Sequence, residues 1–304
     1  MKSAEMAVVA VSLCVLVGIV FVCEIARRAT LNLLTGKRRD CGIYAAEIIS
    51  TIQLCACSHE LKLLSEDAPE IALSFTYVIT VVHALTFRGA TGNPTATLER
   101  YWCDSLGGAC ALRRTACQFA AAVAAGLAMR RAWALGFSDL HARHERSGFA
   151  CASPLANVHL LEAVAVELAC AFVVHAVVTF TRGVEEKYRV HAVAAVITTV
   201  VYAEKSQHKH KLLSPEDFPV VENLLSQSAG GSTTGAVFNP ALALSAQFPC
   251  SGSTFAKNSL VYWLGPVLGV ACSLLLFNKV ILAFTAKSTT HKDQNLHAVQ
   301  KKRN

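Results

Sequence analysis

The chain has 304 residues, 53% of them hydrophobic and only 16% charged, with a mean hydropathy of +0.42. Soluble domains carry about 25% charged residues, so this balance excludes an ordinary soluble domain and reads as an all-α integral membrane protein embedded in a lipid bilayer. The formal net charge of +7 sits at loops and the tail without interleaved aromatics, which excludes a nucleic-acid partner and reads as orientation information.

Helices that cross a hydrocarbon core need about 17–25 apolar residues. Such stretches are expected near 7–26, 43–63, 71–87, 111–135, 158–180 and 259–284, while the run 191–203 falls short. The first, "AVVAVSLCVLVGIVFVCEIARR", reads as a retained helix, with a signal peptide as the alternative, because only Lys2 precedes it and no small-residue cleavage site comes before Arg27. Arg27, Arg28, Lys37, Arg38 and Arg39 then place the next loop in the cytosol by the positive-inside rule. The following loop, with Glu66, Asp67 and Glu70, lies on the opposite side. Alternation puts 181–189 and the tail in the cytosol, and leaves the loop with His141, Arg143, His144 and Arg146 on the other side against the rule.

Twelve cysteines suggest a disulfide framework, but Cys14, Cys23, Cys55, Cys57, Cys117, Cys170 and Cys272 lie in apolar stretches, where thiols act as small hydrophobes. Cys103, Cys110, Cys151 and Cys250 remain for exposure or pairing. No metal site is expected: Cys55 and Cys57 fall on different helix faces, and the histidines of "HARHE" lack zinc-protease spacing. No Ser-His-Asp set or phosphate loop stands out, so the chain is not read as an enzyme and no cofactor is expected.

Two segments repeat a theme. "GATGNPTATLERYW" (89–102) and "GSTTGAVFNPALALSAQF" (231–248) share a glycine-rich approach, an Asn-Pro pair and a short apolar run. Interrupted hydrophobic segments at matching places in two halves point to a transport site. Proline suits the first turn of a helix and asparagine its cap, so Asn93-Pro94-Thr95 and Asn239-Pro240-Ala241 each begin a half-helix with an amide at its tip. Each half also has an intramembrane carboxylate, Glu47 and Glu167, expected to hold a loop's backbone N–H groups in place of relaying protons.

The stretch from Glu167 to Asn239 exceeds that from Glu47 to Asn93 by the length of the charged segment 204–229, "EKSQHKHKLLSPEDFPVVENLLSQSA". Removing it joins "ITTVVYA" to "GGSTTGAVF" and restores a full-length span. The segment reads as a retained intron or gene-model error, with a lumenal loop as the alternative.

The paired motifs, the helix glutamates and the half-and-half layout resemble the aquaporin family, or major intrinsic proteins, over roughly residues 43–285. An altered first triplet and a cysteine nine residues after Ala241, Cys250, are similar to the unorthodox superaquaporin subfamily. The resemblance implies an aquaporin fold: an inverted repeat of transmembrane helices with two re-entrant half-helices, here preceded by one extra N-terminal helix. The implied layout is an N-terminal helix and basic loop (1–42), a first repeat (43–135), a connecting loop (136–157), a second repeat (158–285) carrying the charged segment, and a cytosolic tail (286–304).

What the resemblance implies is a homotetrameric channel of the endoplasmic reticulum for water, glycerol and hydrogen peroxide. Other intracellular membranes or the cell surface are the alternative locations. A non-conducting structural or partner-binding membrane protein is the alternative function. Lys301 and Lys302 in the terminal "KKRN" match a dilysine retrieval signal on a cytosolic tail. Leu242 stands where orthodox members carry the filter arginine, so a wider, less cation-hostile passage is expected. His175 is a candidate compensating base, though it and His83 read first as packed side chains. Cys250 has three open readings: a structural thiol, which the resemblance favours, a disulfide partner or a redox gate.

Overall fold

The computed structural model describes residues 3–34, 39–210 and 233–277, all helices, turns and loops, with no β-strand among them. Among the described residues, five helices are long and apolar enough to cross a membrane by length and composition. Lys301, Lys302 and most of the charged segment lie outside the described residues.

The chain opens with α1 (Ser3–Leu33), which packs beside α2 (Arg39–Asp67). Lipid is as apolar as leucine, so close packing and polar contacts hold such helices together more than hydrophobic exclusion does. Leu16 of α1 meets Cys57 and Leu61 of α2, and the buried Arg27 donates to Glu24 at 2.7 Å and to Gln53 of α2 at 2.9 Å. Glu24 also accepts from Arg88 at 2.6 Å, which ties α1 to the loop after α3 (Pro69–Thr86).

A half-helix, α4 (Pro94–Trp102), precedes α5 (Gly108–Trp133). The connecting stretch 136–157 is more than a loop: it holds α6 (Asp139–Arg146), capped by Ser138, and a 3-10 turn over Pro154–Asn157. On α6, His141 is buried with its Nε2 3.1 Å from Glu60 of α2, which also accepts from the Trp133 indole at 2.8 Å. That network fixes α6 against the α2–α5 pair.

The second half starts with α7 (Leu160–Phe180) and α8 (Glu186–His210). The apolar run 191–203 was too short to cross alone; α8 reaches 25 residues by taking in charged residues at both ends, including 204–210. Helical hydrogen bonding satisfies that backbone whatever the side chains. The second half-helix, α9 (Pro240–Ala246), leads to α10 (Phe255–Phe277), which contains a π-helical turn at Leu260–Leu264. Gly265 and Gly269 let α10 lie directly on α7: a Cβ at Gly269 would overlap the Leu168 carbonyl, and one at Gly265 would meet the Val164 carbonyl at 3.1 Å. This close crossing carries Glu167 to the loop ahead of α9.

Candidate functional site

The two half-helices start from loops that the chain must bend sharply to form. Before α4, Arg88, Gly89 and Gly92 take positive φ of 50°, 89° and 58°. Backbone exposed at that depth needs internal partners, and Glu47 supplies them. Its carboxylate, 1% exposed, accepts from the Thr91 N–H at 3.1 Å and the Gly92 N–H at 3.2 Å. Two α5 side chains complete the shell, Gln118 at 2.9 Å and the Arg114 guanidinium at 3.3 Å. Arg114 matches a charge that alone would be costly to bury.

The loop before α9 is more strained. Gly235, Ala236 and Phe238 all have positive φ, of 87°, 46° and 36°. For non-glycine residues this costs about 1–2 kcal/mol each. Glu167 offsets it by accepting from the Val237 N–H at 2.9 Å and the Phe238 N–H at 2.6 Å, since bonds to a charged group are worth about 1.5–3 kcal/mol each. The π turn aims Tyr262 so that its hydroxyl donates to the Thr234 carbonyl at 2.8 Å.

At each tip the asparagine caps its half-helix. Asn239 Oδ1 accepts from the N–H groups of Ala241 at 3.0 Å and Leu242 at 3.3 Å. Asn93 Oδ1 accepts from the Thr95 N–H at 3.0 Å and from the Thr95 hydroxyl at 2.9 Å. Threonine in the first triplet thus contributes a second donor to the cap. Pro94 and Pro240 occupy the first turns, where no N–H is missed.

Because Oδ1 faces its own helix, each Nδ2 points away, toward the other loop. Asn239 donates to the Gly92 carbonyl at 2.9 Å, and Asn93 to the Phe238 carbonyl at 3.3 Å. Each amide nitrogen carries two hydrogens, so each has one more than these bonds use.

The remaining sequence candidates fall around this pair. Leu242 lies in the first turn of α9 and packs on the cluster containing Val237, Ala243 and Tyr262. His175 faces elsewhere: its Nδ1 lies 2.9 Å from Ser273 of α10, and its Nε2 lies 3.1 Å from Glu99 of α4, which also pairs with Arg182. His83 is buried and stacks on Phe87, ring centroids 4.9 Å apart. Cys250 is bonded to Cys151, joining the connecting stretch to the turn after α9. Backbone bonds from Ser153 N to Ser251 O at 2.8 Å and from Ser251 N to Cys151 O at 2.9 Å run beside it.

Sequence reasoning missed Arg114, Gln118, Glu60 and Glu99. Each is a polar residue on a helix, a type that stands out only once a buried partner is seen.

No family model matches the chain. Aquaporin-11 of Homo sapiens is 35% identical over 238 residues, 77% of this chain and 77% of its own length. Aquaporin-11 of Equus caballus is 36% identical over the same length and shares, and Aquaporin-12 of Mus musculus is 31% identical over 281 residues, 89% of this chain and 86% of its own. Such relatedness, with the all-α fold and two opposed half-helices, identifies a multi-pass channel and not an enzyme: the chain belongs to the aquaporin family, membrane channels for water or small solutes.

Proposed function

We propose that this chain conducts water, glycerol and hydrogen peroxide passively across the endoplasmic reticulum membrane as a homotetramer, through a path bounded by the tips of α4 and α9. The observation that carries the reading is the reciprocal bonding of Asn93 and Asn239, which brings two helix N-termini together. Their spare amide hydrogens offer donors to an oxygen-bearing solute, and the converging positive dipole ends oppose cations and protons. Glu47 and Glu167 hold the loops, and Pro94, Thr95, Pro240 and Ala241 shape the tips.

Leu242 supports the wider solute range, since a leucine brings neither charge nor donor fork to the filter position. Lys301 and Lys302 support the reticulum address, and the family resemblance supports the tetramer. Cys250 takes a structural part through its bond to Cys151.

A second reading, a non-conducting membrane protein with the channel fold, is favoured by the charged residues 204–210 that continue α8. Stopped-flow flux of the three solutes in proteoliposomes, with and without residues 204–229, separates the two. Flux in the full-length chain supports a channel that tolerates the segment. Flux only after deletion marks the segment as an artefact or plug, and none in either form supports the non-conducting reading.

A further inference from the structure

Away from the two tips, α2, α5 and α9 enclose a cavity of about 200 Å³. At about 30 Å³ per water, that is more room than one ion needs. Its walls are divided. Leu63, Leu127 and Leu244 give it apolar surface, while Lys62, Arg130 and Glu66 bring two cations and one anion.

The hydrogen bonds of Lys62 go to neutral groups. Lys62 Nζ donates to the Ala246 carbonyl at 3.1 Å and lies 3.5 Å from Gln247 Oε1, both neutral acceptors. Among the described residues, neither Lys62 nor Arg130 forms an ion pair with a carboxylate. His144, which also lines the cavity, is held below its usual pKa by burial and then by the positive charge of Arg130, His141 and Lys62. A partly apolar cavity with cations at one place and a carboxylate at another calls for a ligand with an apolar body and a head that carries both signs of charge.

The open side supplies a place for that body. Val123 and Leu127, both lining residues on α5, are 47% and 56% exposed, so an acyl chain can continue from the cavity along an apolar shoulder. Lys62 and Arg130 lie near the ends of α2 and α5, the level at which basic side chains meet lipid headgroups.

We propose that this cavity seats the headgroup of an aminophospholipid, with its phosphate between Lys62 and Arg130 and its ammonium toward Glu66. The acyl chains lie along Val123 and Leu127. Glu66 matches the ammonium, and both cations are left to hold the phosphate. The cavity shares no lining residue with the two tips, and the assignment does not depend on which solute the channel conducts.

The test is native mass spectrometry of the detergent-solubilised full chain, titrated with phosphatidylethanolamine or phosphatidylglycerol. The wild type is compared with Lys62→Gln/Arg130→Gln, Glu66→Gln and, as an interfacial control outside the cavity, Arg131→Gln. The wild type and Arg131→Gln should bind one phosphatidylethanolamine per chain, with the double variant weaker by about tenfold or more, the scale of a lost charge contact. Glu66→Gln should weaken phosphatidylethanolamine but not phosphatidylglycerol. Equal binding by all variants, an equal loss in Arg131→Gln, or a wild-type preference for phosphatidylglycerol would overturn the assignment.

Thermal unfolding of delipidated wild type covers the case of a variant that fails to fold. Phosphatidylethanolamine should raise Tm, whereas inorganic phosphate and glycerophosphoethanolamine should not. A rise with inorganic phosphate would assign the cavity to a free phosphate, a rise with glycerophosphoethanolamine would overturn a membrane lipid as its occupant, and no rise with any would overturn the proposal.

Discussion

Asn93 and Asn239 each bond the residue that precedes the other: Asn239 donates to the Gly92 carbonyl at 2.9 Å, and Asn93 to the Phe238 carbonyl at 3.3 Å. The caps determine this exchange. With Oδ1 committed to the first turn of its own half-helix, the amide nitrogen has only the opposite loop to meet. The two tips therefore hold each other, and the loops behind them stay in place only while their carboxylates do.

The carboxylates should differ in cost when neutralised. Glu167→Gln turns one acceptor into a donor facing a loop N–H and should destabilise by about 1–3 kcal/mol. Glu47→Gln does the same and also leaves the Arg114 guanidinium unmatched, for about 3–5 kcal/mol. Thermal unfolding in detergent reads the order; equal losses would mean that Arg114 finds another partner.

Leu242→Arg should convert a permissive constriction into a selective one. A guanidinium in the first turn of α9 adds five donors and a fixed charge, so water flux should persist while glycerol flux falls by about tenfold, equivalent to about 1.4 kcal/mol on its barrier. Parallel stopped-flow traces for the two solutes check it, and an unchanged ratio would place Leu242 away from the path.

Much of this site was legible in the sequence because it depends on local chemistry. An Asn-Pro pair after glycines specifies a capped half-helix start, and two copies with two intramembrane glutamates specify a pair of loops with their supports. The rest depended on distance in space. Arg114 and Gln118 reach Glu47 from α5, and nothing in their own neighbourhood announces it. Gly265 and Gly269 read as ordinary helix glycines until α7 is laid against them. Positive φ at Ala236 and Phe238 was invisible for a different reason, since these residues disfavour that conformation and hold it only because Glu167 and Tyr262 fix the loop.

The Cys151 to Cys250 bond should contribute stability without being needed for the local fold. Cys250→Ser opens a covalent loop of 99 residues and should cost about 2–4 kcal/mol. The backbone bonds at Ser153 and Ser251 remain to hold the two segments. A reductant should lower the Tm of the wild type and leave that of Cys250→Ser unchanged; an equal effect on both would assign the loss to other thiols.

His144 should make the protein less stable on mild acidification. Burial, followed by Arg130, His141 and Lys62, lowers its pKa from 6.5, so the unfolded chain takes up the proton first. Its contribution is complete above about pH 6.5 and is lost as pH falls toward the folded value. His144→Gln should reduce the drop in Tm between about pH 7.5 and about pH 5.5. An unchanged slope would mean that other groups set the acid sensitivity.

The most direct measurement is the osmotic water permeability of proteoliposomes carrying the wild type or Asn239→Asp, with folding of both checked beforehand. Aspartate keeps the cap oxygen but has no hydrogen for the Gly92 carbonyl, and it sets a negative charge where two positive helix ends meet. The account predicts wild-type permeability well above that of empty liposomes and a collapse toward the empty value in Asn239→Asp. Equal permeability in the two proteins, or none in the wild type, would contradict it.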